Sequence, residues 1–229
     1  MTSYGQFCSF ARALDLLGER WTLLIVRELL SGSSRFSDIR RGIPRISRTM
    51  LSARLRALAD SGMIARGNGP TYELTEASRE LAGAVRELGT WGQRWLPRTL
   101  PREHLDADAL LWDMRRRVRT EELPSTPVVA RIEFSDARGR ASVRFLLLRR
   151  SEVSLCSTNP GFPEELRISA PLRTLTAWWR GDISLADARA EGMIVEGRRE
   201  WVRAFPRWFE RYLFADVLSR STRSSPRPG

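Results

Sequence analysis

Leu51, Leu55 and Leu58 recur at i, i+4 and i+7, so they share one face of a helix that Ser47 is placed to cap. That helix runs to about Asp60, and Gly62 ends it. Thr49, Ser52, Ala53 and Arg56 fall on roughly the opposite face, with Arg48 and Arg54 on its flanks. Upstream, Phe36 and Ile39 mark a shorter amphipathic helix from Ser34 to about Arg41, and Gly42-Ile43-Pro44 makes the turn between the two. Downstream, residues 63–66 and 71–74 are short runs joined by Gly67-Asn68-Gly69-Pro70, which predicts an antiparallel hairpin. Helix, turn, helix and hairpin in that order predict a winged helix-turn-helix whose second helix enters the major groove.

The pattern then changes period. Residues 75–96 read as one long helix with Leu81, Val85, Leu88, Trp91 and Trp95 at helical spacing, and Gly89 and Gly92 beside the tryptophans leave room for a second helix. The stripe is either an interface between copies or packing on its own domain, and the sequence leaves both open. Residues 97–105, with two prolines, read as a linker. In a helix over 107–118, Leu110, Leu111, Met114 and Val118 point inward and Arg115, Arg116, Arg117 and Arg119 outward, as a solvated face or as extra phosphate contacts. After a connector at 121–127, alternating runs at 128–134, 141–148, 153–157 and 166–169, punctuated at 136–139 and 159–163, predict an antiparallel sheet. Helices at 171–180 and 185–191, the latter opened by Ser184, a strand at 193–196 and a terminal helix from 198 to about 218 complete an α+β layer. The expected domains are 1–96 and 106–218, with residues 219–229, rich in Ser, Arg and Pro, as a disordered tail.

Charge sharpens the first domain. Residues 35–56 carry seven arginines against one acid, whereas the rest of residues 1–104 balances nine against nine. A basic segment inside an otherwise neutral small domain is the footprint of a phosphate-contacting element, and duplex DNA is the expected partner. Arg48, Thr49, Ser52 and Arg56 are the candidates for base and phosphate contacts, Ser47 for the cap, and Arg35, Arg45, Arg54 and Arg66 for phosphate contacts.

Other chemistries are disfavoured. All 38 basic residues are arginine, which excludes a lysine Schiff base and a phosphate loop ending in Gly-Lys. The sole histidine, His104, has no acidic or thiol cluster around it in sequence, so neither a zinc site nor a catalytic triad is expected, and no cofactor. Cys8 and Cys156 lie in different predicted domains with no sign of a structural disulfide. No apolar run approaches the ~18 residues of a membrane span, and the N-terminus shows no signal sequence. The expected setting is the cytoplasm.

Cys8–Leu30, Arg35-Phe-Ser-Asp-Ile39, Tyr72-Glu-Leu-Thr-Glu76 and Leu88-Gly-Thr-Trp-Gly92 together resemble the HxlR-type winged helix-turn-helix regulators, over about residues 7–96. The resemblance implies a bacterial transcriptional regulator, a homodimer through the first and last helices of the domain, reading an inverted-repeat operator. Some members sense oxidants or electrophiles through a cysteine near the position of Cys8, with Arg12 one turn away to favour a thiolate; the other reading is a small residue buried under the first helix. Thr158–Pro163, Leu172–Ser184, Val195-Glu-Gly197 and Arg203–Trp208 resemble the sterol-carrier-protein-like domains fused to such regulators. That implies an apolar cavity for a hydrophobic small molecule. Trp178, Trp179, Trp201, Phe205, Trp208 and Phe209 either line it or fill the core.

The expected function is a dimeric, ligand- or redox-responsive transcriptional regulator without enzymatic activity. Two alternatives stay open. One is a carrier of an apolar ligand whose winged helix serves for oligomerisation. The other is a cofactorless enzyme using, for example, Arg173 and Asp182.

Overall fold

Ile25, Val26, Ile39, Ile46, Leu51, Leu55, Leu58 and Ile64 are buried together and form the core around which the first elements pack. In the computed structural model, which describes residues 3–137 and 142–220, these elements are α1 (Ser9–Leu17), α2 (Thr22–Leu30), α3 (Phe36–Gly42), α4 (Arg48–Asp60), the strands β1 (Ile64–Arg66) and β2 (Tyr72–Leu74), α5 (Glu76–Glu80) and α6 (Ala82–Trp95). The hairpin pairs antiparallel with Ile64 opposite Leu74 and Arg66 opposite Tyr72. Its free side is joined by the residues before α3: Tyr72 N–H donates to Ser34 O at 2.7 Å, and Arg35 bridges Thr71. The wing is thereby pinned to the start of the helix-turn-helix.

The long helix expected over 75–96 is interrupted. Leu81 N–H bonds to Ser78 O, three residues back, and the helix restarts as α6. The cause is tertiary: the hydroxyls of Ser78 and Thr75 both donate to Met63 O, so α5 is tied to the base of the wing. Leu81 and Val85 pack on the first core, whereas Leu88, Trp91 and Trp95 further along are exposed. The chain divides into two compact units between Gly89 and Thr90.

The second unit contains α7 (Ala107–Arg115), β3 (Val128–Phe134), β4 (Val143–Leu148), β5 (Val153–Cys156), β6 (Glu164–Ala170), α8 (Leu172–Arg180), α9 (Leu185–Ala190), β7 (Ile194–Gly197) and α10 (Arg199–Ala204). Ser184 caps α9 with a full capping box, Asp187 N–H to Ser184 Oγ and Ser184 N–H to Asp187 Oδ2. The sheet order is β5-β4-β3-β6-β7. It is mixed rather than antiparallel as expected, because β6 runs parallel to β3, with a register shift between Val129 and Ala130. The residues after β5 carry the chain from one side of β4 to the far side of β3, a crossover instead of a third hairpin. Val128, Ala130, Ile132, Phe134, Leu146, Ile168 and Ala170 share the main core with α8 and the C-terminal aromatics, while Val129, Phe145 and Leu147 form a small cluster of their own.

Two further expectations are corrected. The terminal helix does not reach 218. It ends at Ala204, continues as a 3-10 turn over Phe205–Trp208, and then becomes irregular. Pro206 has no N–H to offer and clashes with a preceding turn, so it stops an α-helix there. Nor are Arg115, Arg116 and Arg117 a solvated face. Arg115 donates to Val153 O at 2.7 Å and lies over the Trp112 ring, while Arg116 and Arg117 both pair with Asp113. Residues 138–139 of the expected turn, residue 141 of the expected strand and residues 221–229 of the expected tail lie outside the described residues.

Candidate nucleic-acid interface

The geometry of α4 follows from its first residue. Ser47 is extended, and its hydroxyl accepts the Met50 N–H at 3.1 Å, which starts the helix with the predicted cap. At about 100° per residue, Leu51, Leu55 and Leu58 then face the core, and Thr49, Ser52 and Arg56 lie within one narrow stripe of the exposed side. Arg48 and Ala53 are also exposed. A helix presenting hydroxyls, a methyl and guanidinium forks on its free face can reach base edges and phosphates alike.

Around it stand the remaining cations. Arg35 precedes α3, Arg45 lies in the turn between α3 and α4, and Arg66 ends β1, and all three are exposed. Among the described residues, none of Arg35, Arg45, Arg48, Arg56 and Arg66 has an acidic partner within ion-pair distance, so their charge is available to a polyanion. The wing loop carries Gly69 at φ +83°, a left-handed conformation that suits glycine, and Gly67 N–H closes the loop on Thr71 O at 3.1 Å.

Arg54 departs from this set. It sits on the far side of the helix from Arg56, is mostly buried, and binds Glu19 at 2.6 Å. Its charge is compensated within the fold and it braces α4 against the segment before α2, so the phosphate contact expected of it is withdrawn.

Glu28 was not singled out from the sequence. Its carboxylate is fully buried, pairs with Arg27 at 2.7 Å and accepts from the Ser33 hydroxyl at 3.4 Å. Arg27 in turn donates to Gly42 O at 3.1 Å. Gly42 lies directly on the Glu28 carboxylate, and a Cβ there would overlap it. This glycine is required by close approach rather than by its backbone angle, and the pair fixes the turn that aims α4. The available signal was an acid within the apolar run of α2, three residues from Ile25.

Cys8 is exposed and sits at the N-cap of α1. The N–H groups of Ala11 and then Phe10, at the open end of that helix, hold its thiol below the usual value, outweighing the small opposing effect of burial. The reading as a residue buried under the first helix does not hold, and the helix terminus does what Arg12 was expected to do. The six C-terminal aromatics are packed on one another: Trp178 stacks on Phe205 at 5.7 Å, Phe205 meets Phe209 at 5.3 Å, Phe209 meets Trp179 at 5.9 Å and Trp208 meets Trp201 at 5.9 Å. Arg173 donates to Leu100 O, and Asp182 is held by Arg98 and Arg180, so the two are not joined as a reactive pair. Among the described residues no cluster of three or more His, Cys, Asp or Glu is placed to hold a metal, and no helix is long and apolar enough to cross a membrane.

Residues 16–100 match the HxlR-like helix-turn-helix family. The regulator YvaP of Bacillus subtilis is 38% identical over 93 residues, which is 38% of this chain and 86% of that protein. The chain belongs to the HxlR-like helix-turn-helix family. The chain is also 46% identical over 96 residues to the HTH-type transcriptional regulator Rv3095 of Mycobacterium tuberculosis, 39% of this chain and 60% of that one. The chain thus spans about 60% of the mycobacterial relatives' length. Among solved structures, the reduced form of the transcriptional regulator YodB from B. subtilis is 31% identical and covers 42% of this chain and 100% of its own, with a TM-score of 0.36. The redox regulator HypR in its oxidized form is 32% identical over 38% of this chain and 95% of its own, with a TM-score of 0.35. The HxlR-like match ends at residue 100, before α7.

Proposed function

We propose that the protein is a DNA-binding transcriptional regulator of the cytoplasm that reads its operator as a homodimer and responds to a small molecule or an oxidant. The observation that carries this is the set of five exposed, unpaired arginines on the recognition helix, its preceding turn, the wing and the residue before α3. The decisive experiment is fluorescence anisotropy with the DNA flanking the protein's own gene against a scrambled duplex, at two salt concentrations. A preference of about 1,000-fold or more is expected for the native fragment. Equal, steeply salt-dependent binding to both would mean that only phosphates are read and would overturn the reading.

The dimer is supported by unpartnered apolar surface on the first and last helices of the HxlR-like domain. Phe7 and Phe10 are exposed at the start of α1, as are Leu88, Trp91 and Trp95 along α6. Burying such side chains between copies is the favourable outcome in water, and a two-fold dimer would set its recognition helices about 34 Å apart, one helical turn.

The effector belongs to residues 106–218, read as a sterol-carrier-like domain with a hydrophobic ligand held near the aromatic cluster of Trp178, Trp179, Trp201, Phe205, Trp208 and Phe209. Because those rings already touch, a ligand there must part them, and tryptophan emission would report its arrival. Cys8 is the redox candidate. Its thiol is lowered in the fold, so thiolate forms at a lower pH than in the unfolded chain, and the associated stabilisation is lost as pH falls through the folded value. The iodoacetamide reaction rate of Cys8 should reach half its plateau at a lower pH in the native protein than in urea. Coincident profiles would remove Cys8 as an activated thiol.

A further inference from the structure

Most of the described arginines of the second unit are already engaged. Arg98, Arg116, Arg117, Arg131, Arg144 and Arg180 pair with acids. Arg150, Arg173 and Arg211 donate to backbone carbonyls. Along α10 and the 3-10 turn that continues it the situation differs. Arg199 and Arg203 are exposed one turn apart on α10, and the exposed Arg207 follows four residues later in the 3-10 turn. The same segment buries Phe205 and Trp208 in the core. Among the described residues none of the three has an acidic or carbonyl partner. The acid between them, Glu200, is turned to Arg198 at 3.7 Å, and Arg198 also holds Glu165. Beyond Arg207 the exposed Glu210 bounds the patch.

We propose that Arg199, Arg203 and Arg207 form a second polyanion-binding patch, outside the winged helix, that takes backbone phosphates of duplex DNA. This rests on the DNA-binding reading above for its partner. Arg199 and Arg203 are spaced about 6 Å along the α10 axis, and three neighbouring cations suit backbone phosphates but cannot read sequence. The aromatic residues packed in the core hold the backbone that carries the three arginines.

The test compares the full-length protein with its Arg199→Ala/Arg203→Ala/Arg207→Ala variant on a scrambled duplex several helical turns long. All three side chains are exposed and, among the described residues, unpaired, and circular dichroism melting checks that the fold is kept. The slope of log K against log salt should become shallower by about 2–3 for each bound protomer in the variant, while the native-over-scrambled ratio stays the same. Arg203→Glu alone should weaken scrambled-duplex binding more than Arg203→Ala, as repulsion replaces attraction. An unchanged slope in a folded variant overturns the proposal. So does a variant that loses binding only to phosphatidylserine vesicles, which would make the patch a lipid contact. Absence of sequence preference in the wild type would count against the regulator reading alone, since the slope difference is measured without it.

Discussion

Replacing Trp208 with Ala should destabilise the protein by about 3–5 kcal/mol, the range for truncating a buried aromatic. Trp208 is almost wholly buried, its ring meets Trp201 at 5.9 Å, and its carbonyl accepts the Arg119 N–H at 2.7 Å. The adjacent Phe209 bridges Val118, and Glu210 N–H returns to Arg117 O. The chain from Trp208 to Glu210 is thus sewn to the residues after α7 by backbone bonds that depend on Trp208 staying in place. Urea unfolding followed by far-ultraviolet circular dichroism measures the cost. Trp208→Phe should recover a large part of it, because the ring still fills most of the space. A Trp208→Ala loss below about 1 kcal/mol would show that the ring borders an open space rather than filling a core, and would strengthen the ligand-cavity reading of this cluster.

The parts of the structure that were legible in the sequence are those fixed by neighbours in the chain. Ser47 caps α4 because its partner is three residues away, and Leu51, Leu55 and Leu58 turn inward because a helix has one period. The wing was legible from the glycines and proline of its loop. What was not legible depends on distant residues. Alternation tells which face of the sheet Ile132 or Ile168 occupies but not which strand lies beside it, so the parallel pairing of β3 with β6 was missed. Arg54 and Arg56 look alike as residue types, and only Glu19, thirty-five positions away, separates a brace from a free cation. Glu28 stayed hidden for the same reason: its partners Ser33 and Gly42 are set by how α2 and α3 cross. Pro206 is the opposite case. The signal that ends α10 was present in the chain, but the aromatic periodicity on either side of it suggested a helix running through.

Removing both Arg48 and Arg56 should cost about 2–6 kcal/mol on the operator if each reads a guanine, taking about 1–3 kcal/mol for each. The two are eight residues apart, about 12 Å along the helix axis, and share no partner, so their effects should add to within about half a kcal/mol. The discriminating quantity is the difference between operator and scrambled duplex. A base contact is lost only on the operator, whereas a phosphate contact is lost on both and takes about 0.9 from the salt slope. Anisotropy titrations of the two single variants and the double on both duplexes separate these contributions. Equal losses on the two DNAs would make both residues phosphate contacts and leave Thr49, Ser52 and Ala53 to carry the specificity. Ser47→Ala provides the control for helix integrity. It removes the hydrogen bond to Met50 N–H and should cost about 1 kcal/mol of stability, but it leaves the charge of the face intact and so should not change the salt slope. If Ser47→Ala reproduced the double-variant loss, the arginines would be acting through the shape of α4 and not through DNA.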